Sequence, residues 1–224
     1  MTGSEPAAGA RLLELVAVMD TLRRTCPWDA RQTHESLAPH LLEETYEAID
    51  ALASGDPAAF RDELGDVLLQ VIFHARVAQE RTDGTGYTID DVAAGVTDKL
   101  VRRHPHVFAD VEVSGPDDVM QNWDAIKAAE RTAAGGGGPV SSLDGVPAAQ
   151  PALSLAAQLL RRAGRAGVPP ELAELPDSVS ELGRELFALV RRVQAAGLDP
   201  ELELRAAALA YADRVRAYEA EAGA

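Results

Sequence analysis

The stretch SLAPHLLEETYEAIDALASGDPAAFRDELGDVLLQVIFHARVAQE, residues 36–80, decides the fold. Leu37, Leu41, Leu42 and Ile49 fall largely on one side of a helix over about 36–53, with Ser36 as its expected cap. Leu64, Val67, Leu68, Val71, Ile72 and Ala75 do the same on a second helix that runs to about residue 80. It opens at Asp56-Pro57, a capping residue followed by proline at the first helical position. Outward from this pair, Leu12, Leu15, Val16, Met19 and Leu22 mark a helix over about 11–24, which Cys26-Pro27-Trp28-Asp29 breaks. A further helix starts near Thr88, whose hydroxyl caps it with Asp91 three residues on, and stops before Pro105. Another covers about 117–132. Beyond Gly135-Gly136-Gly137-Gly138-Pro139, which cannot continue a helix, come helices at about 150–165, 178–196 and 200–220. No segment alternates with period two, so the expected class is all-α. The expected organisation is a helical domain over 1–134, a Gly/Pro-rich linker over 135–149 and a helical C-terminal region over 150–224.

Composition agrees with helices packed on helices. Hydrophobic residues make up 46% of the 224 positions and aromatics only 4%, so Ala, Leu and Val carry the core. The single cysteine excludes a disulfide scaffold or a multi-cysteine zinc site; it fits a reducing cytosol, and a cytoplasmic location is expected. No apolar run approaches the roughly 20 residues needed to span a membrane, and Met1 to Ala10 lacks the charged start and apolar core of a signal peptide. A net charge of −15 argues against a protein that coats nucleic acid, whose affinity would come from Lys and Arg. Residues 1–130 alone carry −13 of it. That concentration is either a solvated surface or a cation site, and spacing must decide.

The spacing favours a cation. Glu43-Glu44-x-x-Glu47 lies on the first helix of the deciding pair and Glu63-x-x-Asp66 on the second. Residues three or four apart share a helix face, so Glu44 points with Glu47, Glu43 joins Glu47, and Glu63 pairs with Asp66. Like charges so placed disfavour the helix by several tenths of a kcal/mol per exposed pair, and by more when buried. A hard divalent cation removes that penalty, and oxygen-only ligands suit Mg²⁺ or Mn²⁺. Iron–carboxylate bundles use a Glu-x-x-His pair; here His40 precedes Glu43, the reverse order, which disfavours iron.

Glu-Glu-x-x-Glu followed after fifteen residues by Glu-x-x-Asp resembles the all-α nucleoside triphosphate pyrophosphohydrolases. Three further stretches resemble the MazG family in particular. Cys26-Pro27-Trp28-Asp29-Ala30-Arg31-Gln32-Thr33-His34-Glu35-Ser36-Leu37 follows its CPWDxxQTHxSL signature at each fixed position. Lys99 to Phe108 is similar to its basic RRHPHVF segment, and Gln121 to Lys127 to its closing W-x-x-x-K helix. The resemblance is close over about residues 11–132, and Ser141 to Arg165 looks like the MazG inter-domain region.

The resemblance implies Mg²⁺-dependent hydrolysis of nucleoside triphosphates to the monophosphate and pyrophosphate, in the removal of aberrant or excess nucleotides. It implies that Glu44, Glu47, Glu63 and Asp66 hold the metal, with Mn²⁺ as substitute, and that Glu43 is an added ligand or the base that orients the attacking water. Glu43 and Glu44 are thus the expected catalytic residues. Lys99, Arg102, Arg103 and Lys127 would supply counter-charge to the triphosphate. Trp28 and Trp123 are either core packing or walls on which base or ribose stacks, with Gln32, Thr33 and Asn122 as further expected substrate contacts. Such bundles complete their core across a two-fold axis, so a homodimer is expected. The other readings are a non-catalytic nucleotide- or protein-binding module, or a relative restricted to dUTP or phosphoribosyl-ATP.

The C-terminal third departs from the family pattern. Glu181-Leu182-Gly183-Arg184-Glu185-Leu186-Phe187 echoes Glu63-Leu64-Gly65-Asp66-Val67-Leu68-Leu69, but Arg184 stands where the first copy has Asp66. The expectation is a degenerate second domain, unable to hold a metal.

Overall fold

In the computed structural model, the described residues are 9–134 and 141–222. They carry nine α-helices and no strand: α1 (Ala10–Thr25), α2 (His34–Ser54), α3 (Pro57–Ala78), α4 (Ile89–Arg103), α5 (Pro105–Phe108), α6 (Pro116–Ala134), α7 (Ala152–Arg165), α8 (Glu181–Ala195) and α9 (Pro200–Ala222). The all-α expectation holds. Short 3₁₀ turns occupy Asp29–Arg31 and Pro170–Ala173. None of the described helices is long and apolar enough to cross a membrane.

The helix ends are set by local chemistry. α2 is capped by Thr33 rather than by Ser36: the Thr33 hydroxyl accepts from the Ser36 amide at 3.2 Å, while Ser36 Oγ accepts from the Thr33 amide at 2.9 Å. Ser36 is therefore the third residue of the capping box, and the helix starts a half-turn earlier than the apolar spacing implied. Gly55 ends α2 at φ 72°, in the left-handed region that a side chain disfavours. Asp56 then caps α3 by accepting from the Ala58 amide at 2.9 Å, with Pro57 at the first helical position. Thr88 and Asp91 form the expected box at the start of α4.

Two compact units result, residues 1–111 and 112–224. In the first, α2 and α3 share the most extensive packing, α1 lies on α3, and α4 also packs on α3. The core is Met19, Leu37, Ile72 and Phe73, with Leu15, Val16, Leu69, Val77 and Ile89 packed around it. In the second, α7, α8 and α9 pack on one another around Ala157 and Val190. The helix that bears Trp123 and Lys127, α6, falls within that second unit. The glycine run of the expected linker lies outside the described residues.

Candidate active site

α2 and α3 are consecutive and joined only by Gly55-Asp56, so they pack side by side with their acidic motifs in register. One carboxylate oxygen each from Glu44, Glu63 and Asp66 lies within 4.8 Å of the others. Glu44 and Glu63 are half-buried and Asp66 is exposed. Glu63 Oε2 is enclosed and has no hydrogen-bond partner. Desolvation pushes the Glu44 carboxyl above its ordinary range, with the charges of Asp66, Glu47, Glu63 and Glu43 adding to the shift. Glu63 moves the same way, first by desolvation and then through Glu47, Asp66 and Asp62. Three carboxylates so close repel one another, and one of them keeps an oxygen without a hydrogen-bond partner. The donor set is all oxygen, which fits a hard divalent cation.

The other expected acids stand around this trio. Glu47 is not among the mutually close ligand atoms, yet its charge acts on both Glu44 and Glu63. Glu43 is exposed, and its Oε2 lies 3.5 Å from His40 Nδ1. His40 in turn meets the edge of the Trp28 ring at 6.1 Å and 66°. Trp28 also tilts against Phe73 at 6.4 Å, but 49% of it remains exposed. A large ring left half open, one contact away from an acidic residue of the cluster, is poorly explained by core packing alone.

Gln32 and Thr33 turn out to build the loop that carries Trp28. Gln32 Nε2 donates to the Trp28 carbonyl at 2.9 Å, and its Oε1 accepts from Ser36 Oγ at 2.7 Å. Thr33 is the α2 cap. Lys99 and Arg103 lie four apart on α4, near its C-terminal end, with Arg102 between them and exposed. Trp123 and Lys127 repeat that spacing on α6, beside Asn122, and all three are half-buried.

Sequence reasoning missed several polar groups. Arg23 is only 8% exposed. His34 and His74 are stacked with planes 2° apart and Nδ1 atoms at 2.8 Å. Gln70, one turn beyond Asp66 on α3, is buried with its Oε1 unpartnered. Arg23 and Gln70 sit within apolar helical patterns, where a single polar residue at a core position was the available signal. In the second unit the echoed motif occupies different ground. Glu181 and Arg184 form the first turn of α8, and Arg184 donates to the Val179 carbonyl at 2.7 Å. Glu63 and Asp66 stand in the middle of α3.

The family model for the MazG nucleotide pyrophosphohydrolase domain matches residues 32–108. An uncharacterised 26.1 kDa protein of Streptomyces cacaoi is 46% identical over 98% of this chain and 87% of its own length. A nucleoside triphosphate pyrophosphohydrolase of Mycolicibacterium smegmatis is 43% identical over 98% of this chain, which spans 63% of that relative. The nucleoside triphosphate pyrophosphohydrolase/pyrophosphatase MazG of Thermotoga maritima is 37% identical over 95% of this chain and 87% of its own. The crystal structure of a MazG-related protein from Thermotoga maritima is 25% identical and covers 52% of this chain and 98% of its own, with a TM-score of 0.46. With more than a third of its residues shared with the Thermotoga maritima MazG along most of both chains, this protein belongs to the MazG nucleotide pyrophosphohydrolase family.

Proposed function

We propose that this protein hydrolyses nucleoside triphosphates to the monophosphate and pyrophosphate, with Mg²⁺ held by Glu44, Glu63 and Asp66 and with Glu47 completing the acidic set. The observation that carries the reading is the convergence of three carboxylates within 4.8 Å, one with an enclosed and unpartnered oxygen. The relatives named as nucleoside triphosphate pyrophosphohydrolases support it, and Mn²⁺ is the expected substitute. A bound divalent cation supplies neutralisation of phosphate charge and lowers the pKa of water it holds.

The chain's own residues do the rest. Glu43, at the exposed edge of the cluster, orients the attacking water and takes its proton as the water oxygen bonds to the α-phosphorus and pyrophosphate departs. Lys99, Arg102 and Arg103 offset triphosphate charge, and the half-open Trp28 ring receives base and ribose. Gln32 and Thr33 serve mainly by shaping the Trp28 loop. The physiological sense is removal of aberrant or excess nucleotides in the cytoplasm, a location in keeping with the single cysteine.

The test is a panel of triphosphates incubated with Mg²⁺, with products identified. Monophosphate and pyrophosphate are expected. Orthophosphate and diphosphate would assign cleavage to the wrong bond, and no turnover with any triphosphate would favour a binding module instead.

The same protein is inferred to act as a homodimer. Leu64, Leu68 and Val71 form one exposed stripe on α3, and Val92, Val96 and Leu100 form another on α4. Val71 and Val92 line one cavity of about 280 Å³, so the stripes adjoin. A contiguous apolar face of this kind marks an association surface, and a second copy is the expected occupant. Leu68→Glu should convert the dimer to monomer in light scattering; an unchanged mass for both proteins would refute the assignment.

A further inference from the structure

Arg23 is the one charged side chain among the buried described residues, and the sequence gives it no obvious task. It stands in the last turn of α1. Its Nε and Nη2 donate to the two Glu80 carboxylate oxygens at 2.9 and 2.8 Å, a bidentate pair to the residue two beyond the end of α3. Its Nη1 donates to the Asp29 carbonyl and, at 2.9 Å, to the Gln32 carbonyl. Those two carbonyls bracket the 3₁₀ turn Asp29–Arg31, whose capping residue is Trp28. One guanidinium thus clasps both ends of the turn and fastens it to α3. Arg76 holds the clasp from below, donating to Glu80 at 2.9 Å and to Asp20 of α1 at 3.0 Å.

The remaining bonds of this segment are internal or run to its own flanking helices. The Ala30 amide donates to the Cys26 carbonyl at 3.0 Å, Arg31 Nε to the Pro27 carbonyl at 3.2 Å, and Gln32 Nε2 to the Trp28 carbonyl at 2.9 Å. These make the turn a stiff body; the Arg23–Glu80 clasp and the Trp28–Phe73 contact anchor it to the rest of the unit. The placement puts Trp28 against His40, which faces Glu43 at 3.5 Å.

We propose that Arg23, braced by Glu80, is a positioning residue of the nucleotide site: it sets the Cys26–Gln32 loop so that the Trp28 ring stands beside the Glu43–Glu44 end of the acidic cluster. The proposal rests on the reading of Trp28 as a substrate wall. Only Arg can fill the role. Its planar fork reaches a carboxylate and two carbonyls at once, whereas a Lys ammonium cannot span all three.

The experiment compares wild type, Arg23→Lys and Glu80→Gln, the second variant keeping an uncharged acceptor for the guanidinium should the first fail to fold. Amide hydrogen exchange reads the loop without any substrate. Exchange over residues 26–33 should quicken about tenfold in the variants while α7 to α9 keep wild-type protection. In the pyrophosphate-release assay KM should rise about tenfold, equal to about 1.4 kcal/mol, with kcat changed far less. In the background of Trp28→Ala the same Arg23→Lys change should leave KM nearly unmoved, because a clasp that acts through Trp28 has nothing left to place. Unchanged loop exchange overturns the proposal, whatever the activity. Faster exchange with an unaltered KM also overturns it, since the loop would then be stabilised but not used. A wild-type protein without turnover would instead sink the catalytic reading, while the exchange data still judge the clasp.

Discussion

A carboxylate whose charged form is disfavoured in the fold announces what it lacks. The Glu44 and Glu63 carboxyls titrate above their ordinary value, so the folded chain holds protons that the unfolded chain has released. Their favourable contribution is present below the ordinary carboxylate value and is lost as pH rises through the raised folded value. At neutral pH the metal-free protein therefore carries the full repulsion. Glu63→Gln should raise the melting temperature of the metal-free protein at pH 7.5 and erase any further gain from Mg²⁺; a lower melting temperature would show that Glu63 is not strained by its neighbours. Glu44→Gln and Asp66→Asn should lower kcat by a factor of about 100 or more with unchanged helical circular dichroism, as expected when charge neutralisation at the reacting phosphate fails. Wild-type rates would remove either residue from the site. Both acids were legible in the sequence, because their spacing on two helices is itself the signal. The orphaned Glu63 oxygen was not, since enclosure depends on how α2 and α3 meet.

At the scale of elements, α2 and α3 are tied at a second point by the His34–His74 contact. Their 2.8 Å separation needs one Nδ1 to carry a proton and the other to accept it. Burial pushes the His74 imidazole below the ordinary 6.5, and the neighbouring His34 adds to the shift. As pH falls, the unfolded chain takes up this proton first, so the stability present above 6.5 is lost between there and the lower folded value. Urea midpoints should drop between pH 7.5 and 5.5, and His74→Gln should flatten that part of the slope. An identical slope in the variant would assign the pH dependence to other groups. The longer helices were readable from apolar spacing and capping residues, and their ends moved by at most three residues; the four-residue α5 was not read. The start of α2 shows why they moved. Thr33 and Ser36 can each cap, and the choice falls to Thr33 because Ser36 closes the box from inside the helix. The Arg23 clasp was invisible for a different reason: Glu80 is 57 residues away in the chain, and nothing in either residue type names the other.

For the whole molecule, the −15 charge divides unequally, and the acidic cluster lies in the more negative portion. A triphosphate approaching this surface without a cation meets like charge, so nucleotide binding should collapse in EDTA and return with Mg²⁺ or Mn²⁺ in calorimetric titration. Binding that survives EDTA would place the phosphates on the basic residues of α4 alone. The C-terminal unit was read as a degenerate copy from Glu181-x-x-Arg184. Its helices α7 to α9 pack on one another, and Arg184 serves as a brace for the preceding loop. Its purpose was not legible, because packing residues carry no chemical signature.

The brevity of the Gly55-Asp56 connection has a kinetic meaning. Every acid of the cluster lies between residues 43 and 66, so the proposed site is made of contacts that close a short loop, the kind expected early in folding. On that topology the cradle should form before most of the long-range packing, which stopped-flow refolding of single-site variants would check. Divalent cations should then speed refolding as well as steady the finished protein, and Gly55→Ala, which burdens the left-handed turn by about 1 kcal/mol, should slow hairpin closure and cation capture together.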